Sequence, residues 1–439
     1  MGNYDFDISS GAYKCVRELQ DAGYETYIVG GAIRDLLMGK KPKDFDISTS
    51  ATPEEVRAVF GRKRARIIGK RFRLAHVYLE GELFEVSTFR KGPSLLAGEM
   101  HDEKSESKPE NLILSDNLFG TSKEDAFRRD FTVNALFYDP VNRDLIDYTK
   151  QGLEDIQKGI VRAIGEPALR FEEDPVRMLR ALKLVAQYDF TLAAETEKAL
   201  FLSLDLFTHA ASSRLTLELE KILKSVYTEK HFKIFEEYGL LEYFLPELSA
   251  SWDSDACRYA LKLLAKRNER VENGIYRDSI SLALALAALP FVEEALGNAP
   301  GTLWERPNGD VKYAITDIVG TIFAPQSLMV RVRESAIRIL QMQWNLENFS
   351  GKNLNDLLRQ KSYPHAREIM LIRHLVNNED ISGLEKTFPA VAVKKEKVEF
   401  YGKRPPKKGD PAANSPHRRR HHRSRRSGRK PELPPDMEE

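Results

Sequence analysis

Cysteine is almost absent: Cys15 and Cys257 are the only two in 439 residues, far apart and without CxxC spacing. That excludes a disulfide scaffold and a cysteine zinc cluster, and suits a reducing compartment. Long apolar runs are missing too. The longest, Ile280 to Leu289 (ISLALALAAL), stops at Pro290, is too short to span a bilayer, and reads as a buried helix. The N-terminal MGNYDFDISS has no basic region followed by an apolar one. No secretory signal and no membrane partner are therefore expected, and the cytoplasm is the expected compartment.

At roughly 150 residues per domain the length suggests two or three domains. Hydrophobic residues make up 42% and charged residues 30%, enough to bury a core and stay soluble. The net charge of +1 hides an asymmetry: residues 401–439 carry +7 and the first 400 carry −6. Most of the excess sits in HRRRHHRSRRSGRK, His417 to Lys430, which contains Arg418, Arg419, Arg420, Arg423, Arg425 and Arg426. Such a block cannot pack against itself. It is expected to be disordered and to bind polyanions by counterion release, with RNA the favoured partner over a merely solvated tail.

Along the chain, residues 1–150 alternate helical and strand patterns, which predicts an α/β head. Helices are expected at Ala12 to Ala22 and Ala32 to Met38. Strands are expected at Thr26 to Val29, Asp44 to Thr49, Leu74 to Leu79 and Leu83 to Phe89. Lys91 to Glu110 is polar and without periodicity, and reads as a mobile loop in this head. From about Gly152 the pattern is helical, predicting a neck over 151–225, a body over 226–390 and the basic tail over 391–439.

The sharpest feature is YIVGGAIRDLLMGKKPKDFDIST, Tyr27 to Thr49. Gly30 and Gly31 sit at a strand-to-helix turn, where missing side chains let a phosphate approach backbone N–H groups. Arg34, one turn on, would add a charge-assisted contact. The motif is not GxGxxG, so a dinucleotide fold is not indicated, and a bare GG turn is usually only a tight connection. Asp44 and Asp46 change the balance. On one strand they share a face, repel each other, and offer hard oxygen ligands to Mg²⁺. Two such ions would bridge nucleotide phosphates and activate an attacking hydroxyl. The third carboxylate would be Glu85 or Asp130, although Glu85 also fits an exposed edge-strand position. Arg128 and Arg129 beside Asp130 supply cations for phosphates, and otherwise form an exposed ion-pair network.

In EDPVRMLR, Asp174 is the expected N-cap and Pro175 the first residue of a helix. Asp174, Arg177 and Arg180 then line one face, opposite an apolar stripe. A carboxylate accepting from an exocyclic amino group, next to a guanidinium donating to a ring nitrogen, reads adenine or cytosine and rejects guanine and uracil. The alternative is a cap with surface arginines. The basic strip Arg62 to Arg73 would hold triphosphate or RNA, or be a solvated face. His76 reads as a hydrogen-bonded core histidine.

In order along the chain, VGGAIRDLLMG, KDFDIST, EVSTFR, RRDFTVNALFY and EEDPVRMLRALK resemble the class II nucleotidyltransferases, the family of bacterial poly(A) polymerases and tRNA CCA-adding enzymes. The resemblance implies a polymerase-β-like nucleotidyltransferase head followed by a mostly α-helical neck, body and tail. It implies ATP as substrate and Mg²⁺ as cofactor, with Asp44 and Asp46 as metal carboxylates and Asp130 as a further active-site position. Gly30, Gly31, Arg34 and Arg129 match the phosphate side, and Asp174 and Arg177, with Arg180 nearby, the base-reading motif. KKPKDFDIST, ATPEEVRAVF, GKRFRLAHV and the Arg-rich extension are most similar to the poly(A) polymerase branch. The expected reaction is template-independent addition of AMP from ATP to an RNA 3′-hydroxyl, with pyrophosphate released. CCA addition to tRNA is the alternative within the family. A non-catalytic RNA-binding protein is the alternative outside it, and the paired carboxylates argue against that one.

Overall fold

The computed structural model describes residues 4–69, 73–91, 119–302 and 309–391, all within one compact unit, Met1–Ala392. The Arg-rich tail, with Arg418, Arg419, Arg420, Arg423, Arg425 and Arg426, and nearly all of the expected 91–110 loop lie outside the described residues.

The head is one seven-stranded sheet in the order β3-β4-β5-β2-β1-β6-β7. Its strands are β1 (Thr26–Val29), β2 (Asp46–Thr49), β3 (Ala65–Ile68), β4 (Leu74–Leu79), β5 (Glu82–Thr88), β6 (Leu136–Asp139) and β7 (Asp144–Asp147). All neighbours are antiparallel except β2 and β5. Strand alternation sends Ile28, Ile47, Ala75, Val77 and Val86 to one face. There they meet α1 (Ser10–Asp21) through Ala12, Cys15, Val16 and Leu19, and α3 (Pro53–Arg64) through Val56 and Phe60. Both helices start on side-chain caps: Ser9 Oγ accepts from Ala12 N–H, and Thr52 forms a capping box with Glu55.

Among the described residues the opposite face is only half covered. Over β1 and β6, Val29, Phe89 and Phe137 pack with Ala126 of α4 (Ser122–Arg128) in a separate small cluster. Over β3, β4 and β5 the residues on this face are half-buried or exposed. Asp46 opens β2 at the boundary between the two halves.

Beyond α5 (Gly152–Lys158) the chain is almost entirely helical, apart from a parallel pair of two-residue strands, β8 (Ile160–Val161) and β9 (Thr191–Leu192). The neck holds α6 (Pro167–Glu173), α7 (Val176–Tyr188), α8 (Ala194–Leu202) and α9 (Ser212–Lys224). The body runs from α10 (Thr228–Glu237) through α13 (Asp255–Glu272) and α14 (Ile280–Ala295) to α20 (Ser382–Thr387). The apolar run at Ile280 is a buried helix, but it does not stop at Pro290, which lies inside α14. No helix among the described residues is long and apolar enough to cross a membrane. Neck and body are joined by a buried cation: Arg267 of α13 donates to the carbonyls of Leu223 at 3.1 Å and Ser225 at 2.6 Å, closing the C-terminus of α9. That clamp holds the helix that carries Arg214 and Glu218.

Candidate active site

Strand β1 ends at Val29, which pairs with Asp46, so the Gly30–Gly31 turn stands directly beside the first carboxylate of the site. Gly30 has φ +76° and ψ −138°, a conformation that side chains rarely tolerate, and the turn feeds straight into α2 (Gly31–Leu37). Two guanidinium groups cover it. A Cβ at Gly30 would lie 3.3 Å from Arg129 Nη1, and one at Gly31 would lie 3.2 Å from Arg34 Nη2.

Those arginines are held very differently. Arg34 is buried and heavily bonded: it donates to Asn134 Oδ1 at 2.5 Å, to Asp35 Oδ1 at 2.8 Å and to the Tyr188 hydroxyl at 2.5 Å. It also stacks over the Tyr188 ring. Arg34 thus stands on the Gly30–Gly31 turn and also ties α2 to the end of α7. Arg129 is the freer of the two. It reaches Asp125 at 3.0 Å and Ser48 Oγ at 3.3 Å, and its buried Nε has no hydrogen-bond partner among the described residues.

The carboxylates gather differently from the pattern expected of a single strand. Asp44 lies outside β2, in the segment that leads into it, and only Asp46 is a strand residue. The third carboxylate beside them is Glu85. Parallel pairing of Ile47 with Val86 and of Ser48 with Ser87 sets it next to Asp46. Strand β5 lies inside the sheet, so Glu85 is exposed because its face is open and not because its strand is an edge. Asp46 is exposed where it opens β2, yet desolvation of its carboxyl, then the Asp44 and Glu85 charges, push it up to about 6, with Arg129 pulling the other way. A set of carboxylates that destabilise one another and offer only hard oxygens fits a divalent cation such as Mg²⁺. Among the described residues no group of three or more candidate ligands is already closed to metal-binding distance.

That upward shift has a measurable consequence. The folded Asp46 pKa lies above the unfolded value, so its ionisation destabilises the metal-free fold above pH 6 and is neutral below about pH 4. Asp46→Asn should therefore raise the Tm of the metal-free protein at pH 8, and the gain should vanish by pH 4. An equal gain at both pH values in a melting series would show that the carboxylate cluster is not its source.

Asp130 stands apart from this set. Its Oδ1 accepts from the Phe131 N–H at 2.9 Å, and its Oδ2 faces Arg180 Nη1 of α7 at 3.8 Å. Arg180 in turn approaches Glu218 of α9, a buried carboxylate bonded by Lys183 at 2.7 Å and Lys221 at 2.8 Å. Burial alone would raise Glu218, but the two ammonium groups, Lys183 foremost, hold it down at about 2.

In the neck, Asp174 is not the N-cap of a helix beginning at Pro175. It closes α6, and α7 begins at Val176, whose N–H bonds to Asp174 Oδ1 at 3.2 Å. A sharp corner between two helices therefore presents its carboxylate. Both oxygens are taken by a residue forty positions on: Arg214 of α9 donates at 2.8 Å and 2.7 Å in a two-pronged pair. Arg177 is drawn the other way, onto the Arg170 carbonyl at 2.6 Å and Glu173 at 3.0 Å. Arg170 is buried and donates to the carbonyls of Arg128 and Arg129, both at 2.7 Å, stapling the neck to the end of α4. Sequence reading missed Arg170, Arg214, Glu218 and Tyr188. Only Arg170 carried a local signal, its spacing of three from Glu173.

His76 is half-buried, yet it is not the satisfied core histidine expected. Its Nδ1 has no hydrogen-bond partner among the described residues, and its Nε2 lies 3.6 Å from Glu85. In the basic strip, Arg64 pairs with Glu18 and Arg73 with Glu54, while Arg66 lies over the Tyr78 ring.

Comparison with known proteins is consistent along the chain. Residues 26–162 match the family model of the poly A polymerase head domain, and 189–251 that of a probable RNA- and SrmB-binding site of polymerase A. Poly(A) polymerase I of Escherichia coli O6:H1 is 33% identical over 374 residues, covering 84% of this chain and 78% of that protein. The Haemophilus influenzae poly(A) polymerase I is 40% identical over 301 residues; the match spans 67% of this chain and 66% of that relative's length. Among solved structures, the Bacillus stearothermophilus CCA-adding enzyme in complex with CTP aligns with a TM-score of 0.56 and 25% identity, covering 84% of this chain and 82% of that one.

Proposed function

The chain belongs to the poly(A) polymerase family of nucleotidyltransferases, and from that premise we propose that it extends RNA 3′ ends with AMP taken from ATP. The primer hydroxyl attacks the α-phosphate, one P–O bond forms as another breaks, and pyrophosphate leaves with the proton passing to solvent. No covalent enzyme intermediate is needed. Asp46, Asp44 and Glu85 are the carboxylates that would hold two Mg²⁺ ions, which when bound polarise the α-phosphate and lower the pKa of the attacking hydroxyl. Gly30, Gly31 and Arg129 receive the triphosphate: the turn brings backbone close, and the guanidinium beside it carries the countercharge. Arg34 acts at one remove, fixing α2. Asp130 and Arg180 lie on the ribose side, where α7 meets the head.

The observation that carries ATP as the single substrate is the Asp174–Arg214 pair. An enzyme that must alternate cytosine and adenine needs its base-reading carboxylate and guanidinium free to re-pair. Here both carboxylate oxygens are already spoken for in a forked ion pair, the geometry least easily shared. With Asp174 held in one orientation the reader is fixed, and a fixed reader suits one base. This favours repeated addition of A over the ordered C, C, A of the tRNA enzymes.

The deciding experiment is primer extension with Mg²⁺, comparing ATP with CTP on an unstructured RNA and on a tRNA lacking CCA. A long ATP-dependent ladder on the arbitrary RNA is expected; addition that halts after two C and one A, on tRNA only, would overturn the reading. Transcripts in the cytoplasm are the substrates this reading implies. The Arg-rich segment would hold them between additions. Removing 401–439 should accordingly shorten the tails and flatten their salt dependence while the KM for ATP stays within about twofold.

A further inference from the structure

We infer that the face of β3, β4 and β5 that no other described residues cover is the seat of the primer's last nucleotides, with Tyr78 the stacking surface and Arg66 the backbone contact. The inference rests on the polymerase reading and adds a place for the second substrate.

The helix that covers the sheet's outer face stops at β2, so the carboxylates stand at the edge of an open half-sheet. Across that half-sheet the register makes a single row. Arg66 pairs with His76, His76 pairs with Glu85, and Glu85 adjoins Asp46. At about 4.8 Å per strand, Arg66 lies roughly 10 Å from Glu85, a step of one to two nucleotides from the reacting centre. Beside the row, Tyr78 pairs with Leu83 on the same face, and Ile68 pairs with Leu74. Leu83 and Ile68 are exposed, and Tyr78 is half-buried with the Arg66 guanidinium 5.8 Å from its ring centre.

An antiparallel sheet face that is open, aromatic and aliphatic, with an exposed guanidinium over the aromatic ring, is how proteins hold unpaired bases without reading them. Every base has a π-face, so the platform tolerates any 3′ end, including one that changes as a tail grows.

The test is steady-state kinetics of the full chain on a labelled oligoadenylate, varying primer and ATP separately. Tyr78→Ala should raise the primer KM about tenfold and leave the ATP KM within about twofold. Arg66→Ala should raise the primer KM less and reduce its salt dependence, and Tyr78→Phe should keep the wild-type primer KM. Should Tyr78→Ala melt early, photocrosslinking of the wild-type protein to a primer with 4-thiouridine in its last two positions decides the matter, with adducts expected in 74–83. A primer KM unmoved in both alanine variants, a parallel rise in the ATP KM, or adducts confined to other segments would overturn the inference. A wild-type protein that extends no primer would instead count against the polymerase reading itself.

Discussion

Asp46→Asn is expected to lower the rate of nucleotide addition on the order of 10³-fold or more, with the fold retained. Asparagine keeps the shape and one acceptor oxygen, so the loss reports the missing charge. Asp46 is the residue on which desolvation and the Asp44 and Glu85 charges converge, which makes it the centre of the carboxylate set. Asp44→Asn should be comparably damaging. Glu85→Gln distinguishes the two candidates for the third carboxylate: register puts Glu85 beside Asp46, whereas Asp130 faces Arg180. Glu85→Gln should thus lower kcat and raise the Mg²⁺ requirement, while Asp130→Asn should act mainly on the KM for ATP. Single-turnover extension across a Mg²⁺ titration reads all four variants. Addition by Asp46→Asn within tenfold of wild type would remove the carboxylates from the chemistry.

What could be read from the sequence is what lies close together in it. Strand β1 was expected at Thr26 to Val29 and is there, because its residues are all β-branched or aromatic and a Gly-Gly turn ends it. The helical character of the chain beyond α5 followed from periodicity. Asp44 and Asp46 are two residues apart, so their association survives even though only one of them is in the strand. Glu85 and Asp130 were equal candidates because their distance from Asp46 is set by strand order, and nothing local encodes that β5 lies parallel beside β2. The partners of Arg34 were illegible for a related reason: Asn134 and Tyr188 are 100 and 154 residues away. The N-cap expected at Asp174 failed by one residue, since Pro175 follows a helix that ends at Asp174 as readily as it starts one.

Arg214→Ala is expected to lower the preference for ATP over CTP about tenfold or more, mainly by admitting CTP. Asp174 is held in a forked pair that fixes its orientation and occupies both oxygens. Without Arg214, the carboxylate at the α6–α7 corner can turn and accept from the exocyclic amino group of either adenine or cytosine, as an isolated Asp–Arg reader would. The global stability should change little, because the pair lies near the surface, where an ion pair contributes about 0–1 kcal/mol to folding. Discrimination can therefore fall with the fold intact. Arg214→Lys should lie between, keeping charge but losing the fork. The decisive control is a double-mutant cycle. If Arg214 works only through Asp174, then in an Asp174→Ala background removing Arg214 should no longer change the ratio of kcat/KM for the two nucleotides. A ratio untouched by Arg214→Ala, or an effect that persists without Asp174, would mean that selection of the base lies elsewhere in the pocket.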